Sequence, residues 1–244
     1  MGGNILKESK NSEALILGIS ICIGLIFLGY FISAAIVEFK KQDRTVVVKG
    51  LAEREVPADL AIWPIRFNVA DNDLNMLFQK IETQNALVVE FLKKNGFSGK
   101  EISISAPSIV DKQAQSYSSS GRIRFRYSGR STITVYTKKV DVVRNTMKKL
   151  VELGRRGVVI GGEGYETRTE FLFTRLNEIK PAMIEEATKK AREVALKFAK
   201  DSNSRLGKIK RARQGLFSIT NRDNNTPFIK KVRVVSTLEY YLID

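Results

Sequence analysis

The chain has 244 residues, 43% of them hydrophobic, which is enough for one or two globular domains. It carries 41 Lys and Arg against 26 Asp and Glu, a formal net charge of +15, with no histidine and one cysteine. These counts exclude His-dependent triads, Cys/His zinc sites and a disulfide framework within the chain. We therefore expect no cofactor, no metal site and no enzymatic activity, although carboxylate or lysine chemistry stays open.

The first element is an uncharged apolar run, ALILGISICIGLIFLGYFISAA, from Ala14 to Ala35. As a helix rising about 1.5 Å per residue it spans roughly 33 Å, enough for a hydrocarbon core of about 30 Å. A cleaved signal peptide, cut after Ser33–Ala35, is the alternative, but its apolar region would be only about 7–15 residues long. We interpret 14–37 as a transmembrane helix between a short polar N-terminus (1–13) and a linker (38–44). Its predicted membrane residues are Leu15, Ile16, Ile19, Ile21, Cys22, Ile23, Leu25, Ile26, Phe27, Leu28, Phe31 and Ile32.

The basic residues that flank this run bear on its orientation. Lys7 and Lys10 precede it, whereas Lys40, Lys41 and Arg44 follow it. The positive-inside rule then weakly favours a cytoplasmic location for the long C-terminal part. Long domains cross membranes regardless of such charges, so the residues alone leave the orientation open.

Two strands joined by a turn at 57–59 are predicted over Thr45–Ala70, and Pro64 indicates an edge or a bulge in the second. A helix follows, with Asp71 or Asp73 as its N-cap and Gly96 as its stop. Further strands are predicted at 101–110 and 122–138, separated by a polar loop. Helices at 140–154 and about 178–204, a strand at 164–173 and two closing strands complete the chain.

The helix predicted at about 178–204 contains an alanine ladder, four alanines at intervals of four residues: Ala187, Ala191, Ala195 and Ala199. Small side chains at intervals of four allow another backbone to approach closely, so we interpret the ladder as a helix seated tightly on a sheet. A groove for a partner is the alternative. Leu196 and Phe198 are expected to add apolar bulk beside it.

The predicted order after the anchor is ββαββαβαββ, an α+β fold with a mainly antiparallel sheet packed with helices. Exposed strand edges are expected at Thr45–Gly50 and Val232–Leu242. A glycine-rich stretch, Gly157–Gly164, lacks the Gly-Lys-Ser/Thr of a phosphate loop and is interpreted as a turn. Carboxylate pairs such as Glu53 and Glu55 are interpreted as surface charge.

Basic residues recur on predicted strands, and these are the candidate contacts for an anionic ligand or partner. Alternation predicts that the three arginines of RIRFR share one strand face, and KIKRAR and KKVR add further charge. An anionic lipid, a cell-wall polymer or an acidic protein partner fits such rows, with a solvated surface as the alternative. Nucleic acid is not expected, since neither a zinc finger nor a recognition helix is present. The candidate residues are Arg122, Arg124, Arg126, Lys208, Lys210, Arg211 and Arg213.

Several segments resemble the SIMPL-domain family over residues 45–243. VVVKGLAEREVPADLAIWPIRF is similar to its opening strand pair, with Gly50, Pro57, Asp59 and Ala61 at matching places. YSGRSTITVYTKKVDVVRNTMKKLVELG resembles its central strand and following helix. The Ala-periodic helix ending in Leu-Gly-Lys and the final VRVVSTLEYYL resemble its last elements.

The resemblance implies an α+β domain exported to the bacterial periplasm or envelope, with no established activity and, in some members, assembly into large rings. We expect a non-catalytic, single-pass protein of the bacterial inner membrane, with a periplasmic C-terminal domain (45–244) that forms a homo-oligomer or scaffolds partners. The alternative is a module that binds an anionic lipid or cell-wall polymer through its basic strands.

Overall fold

The computed structural model describes residues 5–41, 44–114, 124–161 and 168–243 and, within the first helix, the side chains of residues 16–36. Its helices are α1 (Ile5–Lys41), α2 (Leu74–Lys94), α3 (Val140–Met147), α4 (Val151–Arg155) and α5 (Leu176–Asp201). Its strands are β1 (Thr45–Pro57), β2 (Leu60–Asp71), β3 (Ile102–Ile104), β4 (Ser108–Asp111), β5 (Tyr127–Thr137), β6 (Glu170–Leu172), β7 (Arg205–Gln214), β8 (Ser218–Asn221) and β9 (Ile229–Ile243). The fold is α+β with antiparallel sheets packed with helices, as the sequence predicts.

Contacts group the chain into two compact units, which are described separately. Unit 1 comprises Met1–Ala52, Ala182–Leu216 and Val234–Asp244, and unit 2 comprises Glu53–Pro181 and Phe217–Arg233. Three elements, β1, α5 and β9, contribute residues to both units.

Unit 1 is a helix on a sheet whose strand order is β1-β9-β7. Alternate residues of β9, including Leu238 and Tyr240, are buried, and they cluster with Val48, Ala191 and Ala195. The four ladder alanines are at most 2% exposed. The prediction of close helix-to-sheet packing is therefore confirmed.

Gly50 explains why the ladder must consist of small residues. A Cβ placed on Gly50 would lie 1.8 Å from the Ala187 carbonyl oxygen and 2.6 Å from the Ala191 backbone nitrogen. The backbone of α5 thus occupies the space that any other side chain at residue 50 would need. Leu196 and Phe198, expected beside this contact, are instead exposed by 49% and 56%.

One of the two predicted strand edges is wrong. The segment Val232–Leu242 lies in β9, which pairs with β1 on one side and with β7 and β8 on the other. The N-terminal segment of β1 does lie at an end of the strand order, and β7 is at the opposite end. A long apolar alternation cannot distinguish a central strand from an edge strand, because both bury one face.

Unit 2 is built on the strand order β3-β5-β2-β6, with β4 also paired to β5. Eleven residue pairs join β2 to β5 without a register shift, so Pro64 does not form a bulge. On the other side of β2, β6 pairs only as far as Ile62, and the next bridge joins Phe67 to Ile160. Pro64 lies in the gap between them, where its missing N–H costs no ladder hydrogen bond.

Helix α2 begins and ends as its sequence predicts. The Asp73 carboxylate accepts hydrogen bonds from the backbone N–H groups of Asn75 (2.8 Å) and Met76 (3.0 Å), and Gly96 has a φ of +95° just after the helix. Its large buried residues are Leu77, Ile81, Val88, Phe91 and Leu92.

Several boundaries differ from those predicted. The single helix expected at 140–154 is two helices, because residues 149 and 150 donate to the carbonyls three positions back. The described part of the row from Arg122 to Arg126 is not a strand, since β5 begins at Tyr127, opposite Asp71, the last residue of β2. Beyond that point β2 offers no partner for residues 124–126.

Candidate functional site

The N-terminal helix contains one candidate membrane span among the described residues, Ile16–Ile36, with a mean hydropathy of 2.4 and no buried residue. The predicted membrane residues from Ile16 to Ile32 lie within it, whereas the Leu15 side chain lies outside the described residues. A membrane anchor and a signal sequence share these properties. Three residues (42–44) separate α1 from β1, so the start of β1 lies within about 15 Å of the end of α1.

Four of the seven predicted basic residues, Lys208, Lys210, Arg211 and Arg213, lie together on β7 in unit 1, and all four are exposed. Arg211 pairs with Glu239 and Arg213 with Thr237 across the ladder, so these two arginines share one face. Register shifts interrupt the ladder between Leu206 and Arg211. The structure therefore brings four cations onto one edge strand, but in a row less regular than strict alternation predicts.

The four cations of β7 differ in their partners. The ammonium group of Lys210 lies 3.9 Å from the Glu239 carboxylate and 5.3 Å from the centre of the Tyr241 ring. Lys208, Arg211 and Arg213 form no ion pair with any described residue. These three cations are therefore the ones available to an external anion.

The two described arginines that precede β5, Arg124 and Arg126, do not lie on a strand as predicted. Arg122 lies outside the described residues, and Arg124 stacks 5.6 Å from the Phe125 ring centre. Arg126 forms an ion pair with Asp111 at 2.9 Å, and its backbone N–H donates to the Asn72 side chain. Arg124 and Arg126 belong to unit 2, so the predicted set is divided between the two units.

Asp59, which matches the family pattern, is a structural clamp. Its carboxylate accepts hydrogen bonds from the N–H (2.9 Å) and hydroxyl (3.0 Å) of Thr174 and from the N–H and Nε of Arg175 (both 3.2 Å). Burial raises the pKa of Asp59, but these hydrogen bonds outweigh it and hold the pKa below its usual range. The clamp fixes the two residues before α5, which begins at Leu176, slightly earlier than predicted.

A cavity of about 630 Å³ lies beside this clamp in unit 2. Four of its charged lining groups have partners: Asp59 binds Arg175, Lys139 binds Glu101 at 3.1 Å, and Asp141 binds Arg144 at 2.9 Å. Hydrogen bonds from the Thr137 hydroxyl, the Ser98 backbone and Lys139 lower the pKa of Glu101 to about 2. Asp59 and Asp141 both line this cavity, and each carboxylate is held by an arginine.

A second cavity, of about 310 Å³, was not foreseen from the sequence. We call it the Lys230 pocket, and it is lined by residues that include Arg168, Thr169, Glu170, Phe171, Asn221 and Lys230. In the sequence, Lys230 is distinguished only as one cation of KKVR. Its burial has no sequence signal, because lysine is normally exposed.

No group of three or more candidate metal ligands occurs among the described residues. The described geometry defines an α+β protein with a candidate membrane span, one basic edge strand and one pocket that contains a buried lysine. The family model of SIMPL, described as a protein of unknown function (DUF541), matches residues 46–233. The chain therefore belongs to the SIMPL family. A search of curated proteins found no match to the chain.

Proposed function

We propose that this chain is a single-pass protein of the bacterial inner membrane that acts by contact and not by catalysis, with its C-terminal domain in the periplasm. The candidate span Ile16–Ile36 supports the anchor, and family membership supports the envelope location. Proteolysis of intact cells and of spheroplasts tests this topology. Digestion of the domain only after the outer membrane is opened is expected, and protection in spheroplasts would contradict it.

The contact we propose is self-association through β1. Among the described residues, β1 stands at one end of the strand order in unit 1, so half of its N–H and C=O groups face away from the sheet. Such an edge pairs with a second copy by adding strand to strand. The opposite edge strand, β7, is less suited to pairing with itself, because its exposed cations would face one another. The free edge of β1 is the observation that carries this function.

A matched pair of proline variants tests the free edge. The Arg44 carbonyl accepts a hydrogen bond from the Leu242 N–H, so in regular alternation Val46 also faces β9 and Val47 faces outward. Val47→Pro is expected to keep the fold while it abolishes association, because only the outer edge loses a donor. Val46→Pro breaks the ladder to β9 and serves as the destabilising control.

Light scattering after size exclusion of the detergent-solubilised full chain measures the outcome. We expect an oligomer for the wild type and a folded protomer for Val47→Pro, with a melting temperature clearly above that of Val46→Pro. A wild-type chain that stays monomeric, or a Val47→Pro variant that still assembles, would disprove association through β1.

A second candidate function is binding of an anionic lipid or wall polymer by the cations of β7. Lys208, Arg211 and Arg213 support it, since they are exposed and have no ion-pair partner among the described residues. Replacing these three residues by Gln is expected to weaken co-sedimentation with anionic vesicles, most strongly at low salt. Arg126→Gln is the control, because this arginine already pairs with Asp111. Equal loss in both variants would contradict a specific role for β7.

A further inference from the structure

Lys230 in unit 2 is a cation in an environment that normally excludes one. It is 7% exposed, although lysine is almost never fully buried unless it is paired. Its ammonium group donates one hydrogen bond, to the amide oxygen of Asn221, its neighbour across the β8–β9 ladder. An ammonium group has three donors, so two of them have no acceptor among the described residues.

No ion pair compensates this buried charge among the described residues, since no carboxylate oxygen lies within 4.0 Å of the ammonium group. A buried cation without a close anion is costly. Burial accordingly lowers the pKa of Lys230, while the charge of Glu170 opposes this effect and that of Arg168 adds to it. The pocket therefore contains two cations against one carboxylate, an arrangement that attracts an additional negative charge.

The backbone around Lys230 is fixed before any ligand arrives. The turn between β8 and β9 is held by Asp223, which accepts hydrogen bonds from the N–H groups of Asn225 (2.8 Å) and Thr226 (2.7 Å). The Arg222 N–H closes the turn on the Ile229 carbonyl at 2.9 Å. Because the backbone that carries Lys230 is already ordered, its ammonium group loses less conformational entropy on binding an anion than the ammonium group of a flexible surface lysine does.

We propose that the Lys230 pocket binds a small oxyanion, a phosphate or carboxylate group, through the ammonium group of Lys230 with Arg168 as the second cation. A volume of about 310 Å³ suits a small molecule. Charge-assisted hydrogen bonds from the two unused donors would supply the binding energy. This site goes beyond the proposed function and does not depend on it.

Direct binding of inorganic phosphate to the detergent-solubilised full chain tests the proposal. Equilibrium dialysis with labelled phosphate, in sodium chloride of constant ionic strength, is expected to show one saturable site per chain. Competition by sodium acetate distinguishes the two chemistries: strong competition identifies a carboxylate site, and weak competition identifies a phosphate site. Lys230→Met, which keeps the side-chain length, is expected to weaken binding at least tenfold.

Lys231→Met is the matched control, because the neighbouring lysine is partly exposed and pairs with Glu53 at 2.8 Å. It is expected to leave phosphate binding unchanged, whereas Glu170→Gln is expected to strengthen binding by removing the one competing carboxylate. Phosphate should also raise the melting temperature of the wild type but not of Lys230→Met. The absence of saturable binding, or equal binding by Lys230→Met and the wild type, would overturn the proposal and leave Lys230 a structural residue.

Discussion

Two helices of this protein pack on sheets with opposite choices of side chain. Helix α2 in unit 2 buries Leu77, Ile81, Val88, Phe91 and Leu92. Helix α5 in unit 1 buries only alanines beyond Met183, and its backbone lies directly over Gly50. The first contact is stabilised by the large apolar area it removes from water, and the second by close approach of two backbones.

This difference predicts opposite sensitivities to mutation. A contact made by large side chains is weakened when a side chain is shortened, because a cavity remains. A contact made by backbones is weakened when a side chain is added, because nothing at the contact can rotate away. The two units should therefore respond differently to enlargement and to truncation.

Gly50→Ala is expected to have the largest effect. Its new Cβ would lie 1.8 Å from the Ala187 carbonyl, so α5 must move away from β1. The loss should exceed the usual overpacking cost of about 1–3 kcal/mol. Thermal unfolding of the solubilised chain measures it, with hydrogen exchange of α5 peptides to locate the change. Gly99→Ala, where the space is open, is the control. Equal stability of the two variants would contradict a backbone contact.

Leu92→Ala tests the other half of the comparison. Leu92 is fully buried on the inner face of α2, and its truncation should cost about 3 kcal/mol, within the usual range of about 2–5 kcal/mol. Chemical denaturation checks the value, and Leu87→Ala, at a partly buried position on the same helix, should cost clearly less. A larger loss from Leu87→Ala would show that the face of α2 has been assigned wrongly.

The sequence predicts both helices but not the geometry that distinguishes them. Periodicity identifies α2 and its N-cap Asp73, and interval-four alanines identify α5, because these signals are local along the chain. The contact between Gly50 and the backbone of Ala187 joins segments that are distant in the sequence, so it could not be predicted from local patterns.

The candidate site was less predictable than the fold for the same reason. Four cations of β7 follow from their order in the chain, whereas the engagement of Arg126 with Asp111 depends on how β4 pairs with β5. The burial of Lys230 depends on packing against residues some 60 positions earlier, such as Arg168 and Glu170. The number of charged residues can be read from the sequence, but the burial of each charged group depends on the fold.

Acid should destabilise the two units unequally, because the carboxylates of the described residues for which a lowered pKa is resolved lie in unit 2: Asp59, Asp71, Glu101, Asp111 and Asp223. A carboxyl whose folded pKa is depressed contributes stability above its unfolded pKa, and that stability is lost as the pH falls toward the folded value. For Glu101 the window runs from 4.5 down to about 2. Hydrogen exchange, corrected for pH, should show protection lost first in unit 2 between these values.

Glu101→Gln makes the acid prediction specific to one residue. At neutral pH the variant loses charge-assisted hydrogen bonds and should be less stable by about 1–2 kcal/mol. Its stability should then fall less than that of the wild type on acidification, because one titrating group is gone. Parallel stability curves for the two proteins between neutral pH and pH 3 would refute the role of Glu101.

Phe198→Ser should have the smallest effect, and it tests whether Phe198 lies outside the packed face of α5 in unit 1. Phe198 is 56% exposed, whereas the adjacent Ala199 is 2% exposed. A surface substitution of this kind normally changes stability by less than about 0.5 kcal/mol. Chemical denaturation at two protein concentrations provides the check. A loss above about 1 kcal/mol at high concentration only would show that a second copy covers this face of α5, because association stabilises by mass action.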